Sequence, residues 1–191
     1  MISTQPTKLM ASLFEPFDED HQLTVLHIGP ALSDTVDFFS QYRCKLYFAD
    51  LFAELPFKVD PEEDGLTLEQ QFKSHLDFPI ETRFDVCFFW DIFNYLDARA
   101  IAALDKVLRP YLHRSSRGHG FSLHNLKTPE SNLSYGIRQL DTLSVRNRSF
   151  SLPNYAPHSQ AQLKSVLSSF NIDKSVLLAD SRLELTLRAK G

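Results

Sequence analysis

Residues 23–51, LTVLHIGPALSDTVDFFSQYRCKLYFADL, read as strand, tight turn, helix and second strand, with an acid closing the second strand. Leu23, Val25, Leu26 and Ile28 form a short apolar run that stops at Gly29. In the segment after the turn, Asp34, Asp37 and Gln41 fall on one side of a helix and Val36, Phe38 and Phe39 on the other. Leu46, Tyr47 and Phe48 then lead into Asp50, 21 residues after Gly29. A nucleotide-type ligand needs this spacing: a helix N-terminus for its charged end, then a carboxylate for its ribose hydroxyls. The turn itself carries one glycine where dedicated cofactor folds carry two or three.

The rest of the chain continues an α/β pattern. Residues 9–17 predict a short docking helix through Leu9, Met10, Leu13, Phe14 and Phe17. An acidic run occupies 60–64, and 66–76 predicts a helix with Asp64 or Thr67 as cap. Residues 84–89, FDVCFF, are almost continuously apolar, as a strand buried on both faces must be, and end at Trp90-Asp91. A helix is expected over 98–112 with Asp97 as N-cap, a strand over 120–124, and an amphipathic helix over 159–170. Segments 174–179 and 183–189 alternate around Asp180-Ser181-Arg182 and predict a terminal antiparallel hairpin. Segment 128–157 has no readable periodicity.

With 191 residues, 43% of them hydrophobic and 16 of them Phe, the chain can bury one large core, so a single domain is expected over 1–191, with 1–20 as a helical N-terminal extension. No apolar run approaches a membrane span, and the N-terminus lacks the basic start and apolar stretch of a signal peptide. Two cysteines without motif partners fit a reduced, cytoplasmic setting, with no disulfide and no metal site expected. Residues 1–100 carry seven Lys and Arg against 18 Asp and Glu; residues 101–191 carry 13 against six. That split predicts an electrostatic dipole able to steer an anionic partner or set copies head to tail in a homo-oligomer. A pI near 6.0 without interleaved basic and aromatic residues argues against nucleic acid as partner, and nothing points to a membrane.

The order of elements, carried by VLHIGPA, LYFADL, FDVCFFWDIFNYL, VLRPYL and the closing HSQAQLKSVLSSFNIDKSVLLADSRLELTL, resembles a class I S-adenosylmethionine-dependent methyltransferase over roughly residues 20–191. The resemblance implies a Rossmann-like α/β fold: a mostly parallel sheet of order 3-2-1-4-5-7-6 whose strand 7 is antiparallel. Only 77–80 could supply strand 3, so that strand is short or absent. The resemblance further implies S-adenosylmethionine bound along a glycine-rich loop that is degenerate here. Gly29 matches the loop's first glycine; His27 stands at the position of its acid, Ala31 and Ser33 at its other glycines. Pro30 removes an amide N–H, and Ala31 adds a methyl group where the backbone approaches the ligand. Ser33 or Asp34 can cap the following helix.

By the same resemblance Asp50, followed by Leu51, takes the ribose hydroxyls, and Asp91 with Trp90, Asn94 and Tyr95 lines the floor beside the transferred methyl. Asp91 or His124 would accept the substrate proton. Tyr135, Arg138, Arg146 and Arg148, with Tyr155, lie in the segment expected to cover the substrate, where the arginines could clamp a carboxylate or phosphate. Arg114 and Arg117, with His113 and His119, are expected in a solvated loop away from the site. Two functions stay open: methyl transfer to an acceptor, anionic if the arginines bind it, and a non-catalytic descendant of the fold used for interaction or ligand sensing.

Overall fold

The structure, a computed structural model, describes residues 1–59 and 65–191; the acidic run 60–64, including the cap candidate Asp64, lies outside the described residues. Nine strands are described: β1 (Ile2–Pro6), β2 (Leu23–Ile28), β3 (Cys44–Ala49), β4 (Phe84–Trp90), β5 (Leu112–Leu123), β6 (Leu133–Gln139), β7 (Thr142–Asn147), β8 (Phe170–Leu177) and β9 (Arg182–Ala189). The helices are α1 (Ser33–Phe39), α2 (Leu68–His75), α3 (Ala98–Leu108) and α4 (Gln160–Val166).

Six strands form the main sheet in the order β3-β2-β4-β5-β9-β8. β3, β2, β4 and β5 are parallel, and β9 runs antiparallel between β5 and β8. This is the expected α/β, Rossmann-like sheet with strand 3 absent among the described residues. Where residues 77–80 could have paired with β3, Phe78 packs edge-on against Tyr47, Phe84 and Tyr111 instead. β4 sits at the centre with every residue buried, and Val25, Ile28, Val86 and Phe88 are fully enclosed. Alternation along β4 sends Phe88 and Trp90 to one face and Phe89 to the other. Phe39 of α1 packs on Phe88 with ring centroids 6.2 Å apart, while Phe89 meets Phe93 and Phe170.

Local chemistry accounts for most element ends. Thr67 and Ser159 each close a reciprocal capping box on α2 and α4, and Asp97 caps α3 by accepting from Ala100 N–H at 2.8 Å. α1 departs from expectation: its N-cap is Leu32, without a side-chain cap, and Val36 faces solvent while Thr35, Phe38 and Phe39 are buried. α4 stops at Val166 rather than running to 170. Buried Asp105 of α3 accepts from Ser168 Oγ, Ser169 N–H and Ser169 Oγ at 2.7–3.0 Å, which pulls the chain out of the helix and into β8.

Three further segments depart from expectation. Residues 9–17 hold only one helical turn, Met10–Leu13, and the N-terminal extension begins with strand β1. The supposed basic loop is the first half of β5. His113 reaches Asp85 at 2.9 Å, Ser116 Oγ donates to Phe84 O, and His119 reaches Glu184 at 2.9 Å, so these side chains bond within the fold rather than to solvent. Finally, residues 128–157 contain the β6–β7 hairpin, which joins β1 in a three-stranded antiparallel sheet of order β1-β7-β6. That small sheet lies close on α1. Ile137 N–H donates to Thr35 Oγ1 at 3.0 Å, and a Cβ on Gly136 would stand only 3.3 Å from the same Thr35 Oγ1. Glycine eases this approach, since any side chain there would crowd Thr35.

Candidate functional site

In an open parallel sheet, ligands sit outside the carboxyl ends of the strands where the connections diverge. Here the chain leaves β2 toward β3 on one side and returns to β4 on the other, so the crevice lies above Gly29, Asp50 and Asp91. Gly29 is buried with φ 137°, a backbone conformation reserved for glycine, and its N–H donates to Ala49 O at 2.8 Å. Pro30 lines a cavity of about 280 Å³ together with Asp50, Phe52, Arg146, Arg148, Phe150 and Leu152. Ala31 is exposed, and Leu51 is fully buried in the core, so it does not face the crevice.

The floor is filled from within. Trp90 is 1% exposed and has φ 51°, a left-handed conformation that a bulky residue rarely adopts. Its ring stacks on Phe88 at 5.2 Å below and on Tyr135 of β6 at 5.4 Å above. Its Nε1–H donates to Nε2 of buried His27 at 3.1 Å. Burial holds the His27 imidazole down at about 4, as a neutral acceptor for Trp90. Trp90 and His27 are therefore core residues without a free face for a ligand ring. The same applies to Tyr135, whose hydroxyl accepts from Arg182 at 2.8 Å beneath the small sheet.

Asp91 and Asp50 differ in environment. Asp91 is 3% exposed, and burial pushes its carboxyl up to about 6 despite the opposing pull of Arg148. Arg148 Nη2 donates to Asp91 Oδ1 at 3.5 Å, and its guanidinium carbon lies 4.3 Å from the Phe52 ring centre and 5.7 Å from that of Tyr95. Asp50 is half-buried, burial raises its carboxyl, and its Oδ1 has no partner among the described residues. On the far side of Asp91, a cavity of about 160 Å³ is lined by Asn94, Tyr155, Ser131 and Arg182. Asn94 O accepts from Ala156 N–H at 2.8 Å, and the Tyr95 hydroxyl donates to Glu130 at 2.8 Å.

The three expected arginines do not converge into a clamp, and of the two candidate proton acceptors His124 stands apart from Asp91. Arg146 is taken by Asp34 at 2.9 Å, which spends the helix-cap candidate on an ion pair, and Arg148 is taken by Asp91. Arg138 is exposed on β6, away from both cavities. His124 is exposed beyond β5, its N–H held by Ser181 O at 3.0 Å, and lines neither cavity. Sequence reasoning missed Phe52 and Arg182. The aromatic directly after Asp50-Leu51 was a usable signal for Phe52. Nothing local marks Arg182, which meets Tyr135, Gln5 and Asp180 across three segments.

No protein-family model matches the sequence, and no curated protein sequence matches it. Solved structures do match in fold. An S-adenosylmethionine-dependent methyltransferase from Clostridium acetobutylicum superposes with TM-score 0.51 at 11% identity, covering 90% of this chain and 85% of that one. The 1,6-didemethyltoxoflavin-N1-methyltransferase of Burkholderia thailandensis, solved with 1,6-didemethyltoxoflavin and S-adenosylhomocysteine, gives 0.50 at 14%, covering 95% and 76%. An S-adenosylmethionine-dependent methyltransferase from Mesorhizobium loti gives 0.50 at 10%, covering 93% and 95%. The chain has the fold of the class I S-adenosylmethionine-dependent methyltransferases.

The crevice residues do not fit that cofactor as they stand. S-adenosylmethionine brings a positive sulfonium and an ammonium, and the crevice already holds the Arg148 cation against Asp91. The position of the loop acid is His27, neutral and already bonded to Trp90. Among the described residues no cluster of His, Cys, Asp or Glu could hold a metal ion, and no helix is long and apolar enough to cross a membrane.

Proposed function

We propose that this chain is a methyltransferase-fold protein that does not transfer methyl groups and serves as an interaction or ligand-sensing module. One observation carries the reading: the small sheet lies over the crevice, with Tyr135 stacked on Trp90 and Arg148 seated between Phe52 and Asp91. A donor and an acceptor would both need the volume that these side chains occupy. The test is calorimetric titration of the purified protein with S-adenosylmethionine and S-adenosylhomocysteine. No binding heat is expected at millimolar ligand. A micromolar dissociation constant that Asp50→Ala weakens by about 1–3 kcal/mol, the scale of a charge-assisted hydrogen bond, would overturn the proposal.

A second reading, methyl transfer with the β6–β7 hairpin swung aside, is favoured by the two acids. Asp50 and Asp91 follow the carboxyl ends of β3 and β4, on either side of Gly29, and Asp91 borders the Asn94–Tyr155 cavity where an acceptor could sit. Under that reading Asp91, held neutral in part at pH 6, would exchange a proton with the acceptor.

A further inference from the structure

We propose that the crevice between Asp50 and Asp91 is a cation site filled by Arg148 from within the chain, and that this occupant, ahead of the missing loop glycines, sets the crevice against S-adenosylmethionine. The inference rests on the non-catalytic reading and names the residue responsible for it.

The walls are those of a site for a flat cation. One carboxylate, Asp91, stands 3.5 Å from the guanidinium, and two aromatic faces, Phe52 and Tyr95, lie 4.3 and 5.7 Å from its carbon. Ring faces attract cations electrostatically, most strongly where water is excluded. The Arg148 side chain is only 8% exposed, so this is such a place. A second carboxylate, Asp50, lines the adjoining cavity with one oxygen unpartnered. Without a cation, Asp91 would be a buried charge facing two aromatic rings, which is costly.

The occupant is delivered by the hairpin and held loosely by hydrogen bonds. Arg148 follows β7 directly, and its N–H donates to O of Asn132, just before β6, at 3.0 Å. The base of the hairpin thus fixes the backbone. At the other end, Nη1 is buried without a partner among the described residues, so charge and ring faces supply most of the hold. Once the side chain is truncated, a free molecule of the same chemistry can take its place.

Arg148 also takes up space. It lines the cavity of about 280 Å³ beside Asp50, while its partner Asp91 lines a separate cavity of about 160 Å³ beside Asn94. Truncating Arg148 would widen the first beyond about 280 Å³, toward the range of small-molecule sites.

The experiment compares wild type, Arg148→Ala and Ala31→Gly by thermal melting and calorimetry, with methylguanidinium chloride and S-adenosylmethionine as probes. Arg148→Ala is expected to melt below wild type and to regain part of the loss in about 20 mM methylguanidinium by mass action, with no response to sodium chloride at equal ionic strength. Wild type is expected not to respond. Arg148→Ala should also gain S-adenosylmethionine binding, with a dissociation constant of about 100 μM or tighter, while Ala31→Gly gains none. Failure of Arg148→Ala to respond to either cation, or a gain confined to Ala31→Gly, would overturn the inference. Should Arg148→Ala not fold, Arg148→Lys keeps the charge and Arg148→Met keeps the bulk. Lys more stable than Met supports the cation site; the reverse order or equality overturns it. Binding of S-adenosylmethionine by wild type would sink the non-catalytic reading itself, whereas a silent wild type with a silent Arg148→Ala sinks only the role given to Arg148.

Discussion

Glu184→Ala is expected to cost about 3–5 kcal/mol of folding stability, the scale for removing one partner from a buried charged network. Glu184 sits on β9 with no solvent exposure, on the face shared with His119 and Phe121. Its carboxylate accepts from the Thr7 hydroxyl, from Lys8 N–H at 3.0 Å and Leu9 N–H at 3.3 Å, and meets His119 Nε2 at 2.9 Å. Burial alone would raise the carboxyl; the hydrogen bonds from His119 and Thr7 outweigh it and hold it at about 2. Held below its ordinary 4.5, it contributes stability that is complete above that pH and is lost progressively as pH falls from 4.5 through about 2. Alanine would leave two backbone N–H groups and the buried His119 without their acceptor and release the segment that joins β1 to the Met10–Leu13 turn. Urea unfolding at pH 7 measures the loss, and protease cleavage before Met10 should accelerate in the variant. Glu184→Gln keeps one acceptor oxygen and should lose less. A loss under about 1 kcal/mol for alanine would mean that the carboxylate does not pin the N-terminal segment.

The features that sequence reasoning found share one property: their cause is local. FDVCFF must be a central strand because both its faces are apolar, and β4 is buried throughout. Gly29 must end a strand in a turn because the chain there needs a positive φ, and it has one. Asp97 and Thr67 cap helices with groups three residues away. What escaped the sequence depends on partners far apart in the chain. Thr7 and Glu184 are 177 positions apart, Arg148 and Asp91 57 apart, and Tyr135 and Arg182 47 apart. No periodicity reveals that a polar residue has a buried partner, so the first half of β5 looked like a solvated loop and the β6–β7 segment gave no readable structure. The site residues divide in the same way. The positions of Asp50 and Asp91 were legible because a strand end fixes them; the surroundings of Trp90, Tyr135 and Arg148 were not, because they depend on the hairpin that lands on the crevice.

Asp91→Asn is expected to make the protein lose about 3 kcal/mol more than wild type between pH 6.5 and 4, and the reason lies in two groups that titrate against each other. His27 is held at about 4 against an ordinary 6.5, because burial disfavours its charged form and Trp90 Nε1–H occupies Nε2. Its contribution is therefore complete above 6.5 and lost as pH falls through about 4; the gap corresponds to about 3 kcal/mol. Asp91 is pushed up to about 6 against an ordinary 3.8. Its contribution has the opposite sign: complete below 3.8 and lost as pH rises through about 6, again about 3 kcal/mol. Over pH 4–6 the two slopes oppose, so wild type should show little net change from this pair. Asparagine removes the Asp91 slope and exposes that of His27, so Asp91→Asn weakens on acidification. His27→Phe removes the other slope. It should start about 1–3 kcal/mol less stable at pH 7, since the Trp90 N–H is left unpaired in the core, and then gain on wild type as pH falls. Denaturant midpoints for wild type and both variants at pH 7, 6, 5 and 4 give the test, and other titrating groups cancel in the differences. Parallel curves for all three proteins would mean that neither group is perturbed by the covered crevice. Crossing curves would place both side chains inside it, beneath the small sheet, where a protein that must admit a methyl donor cannot keep them.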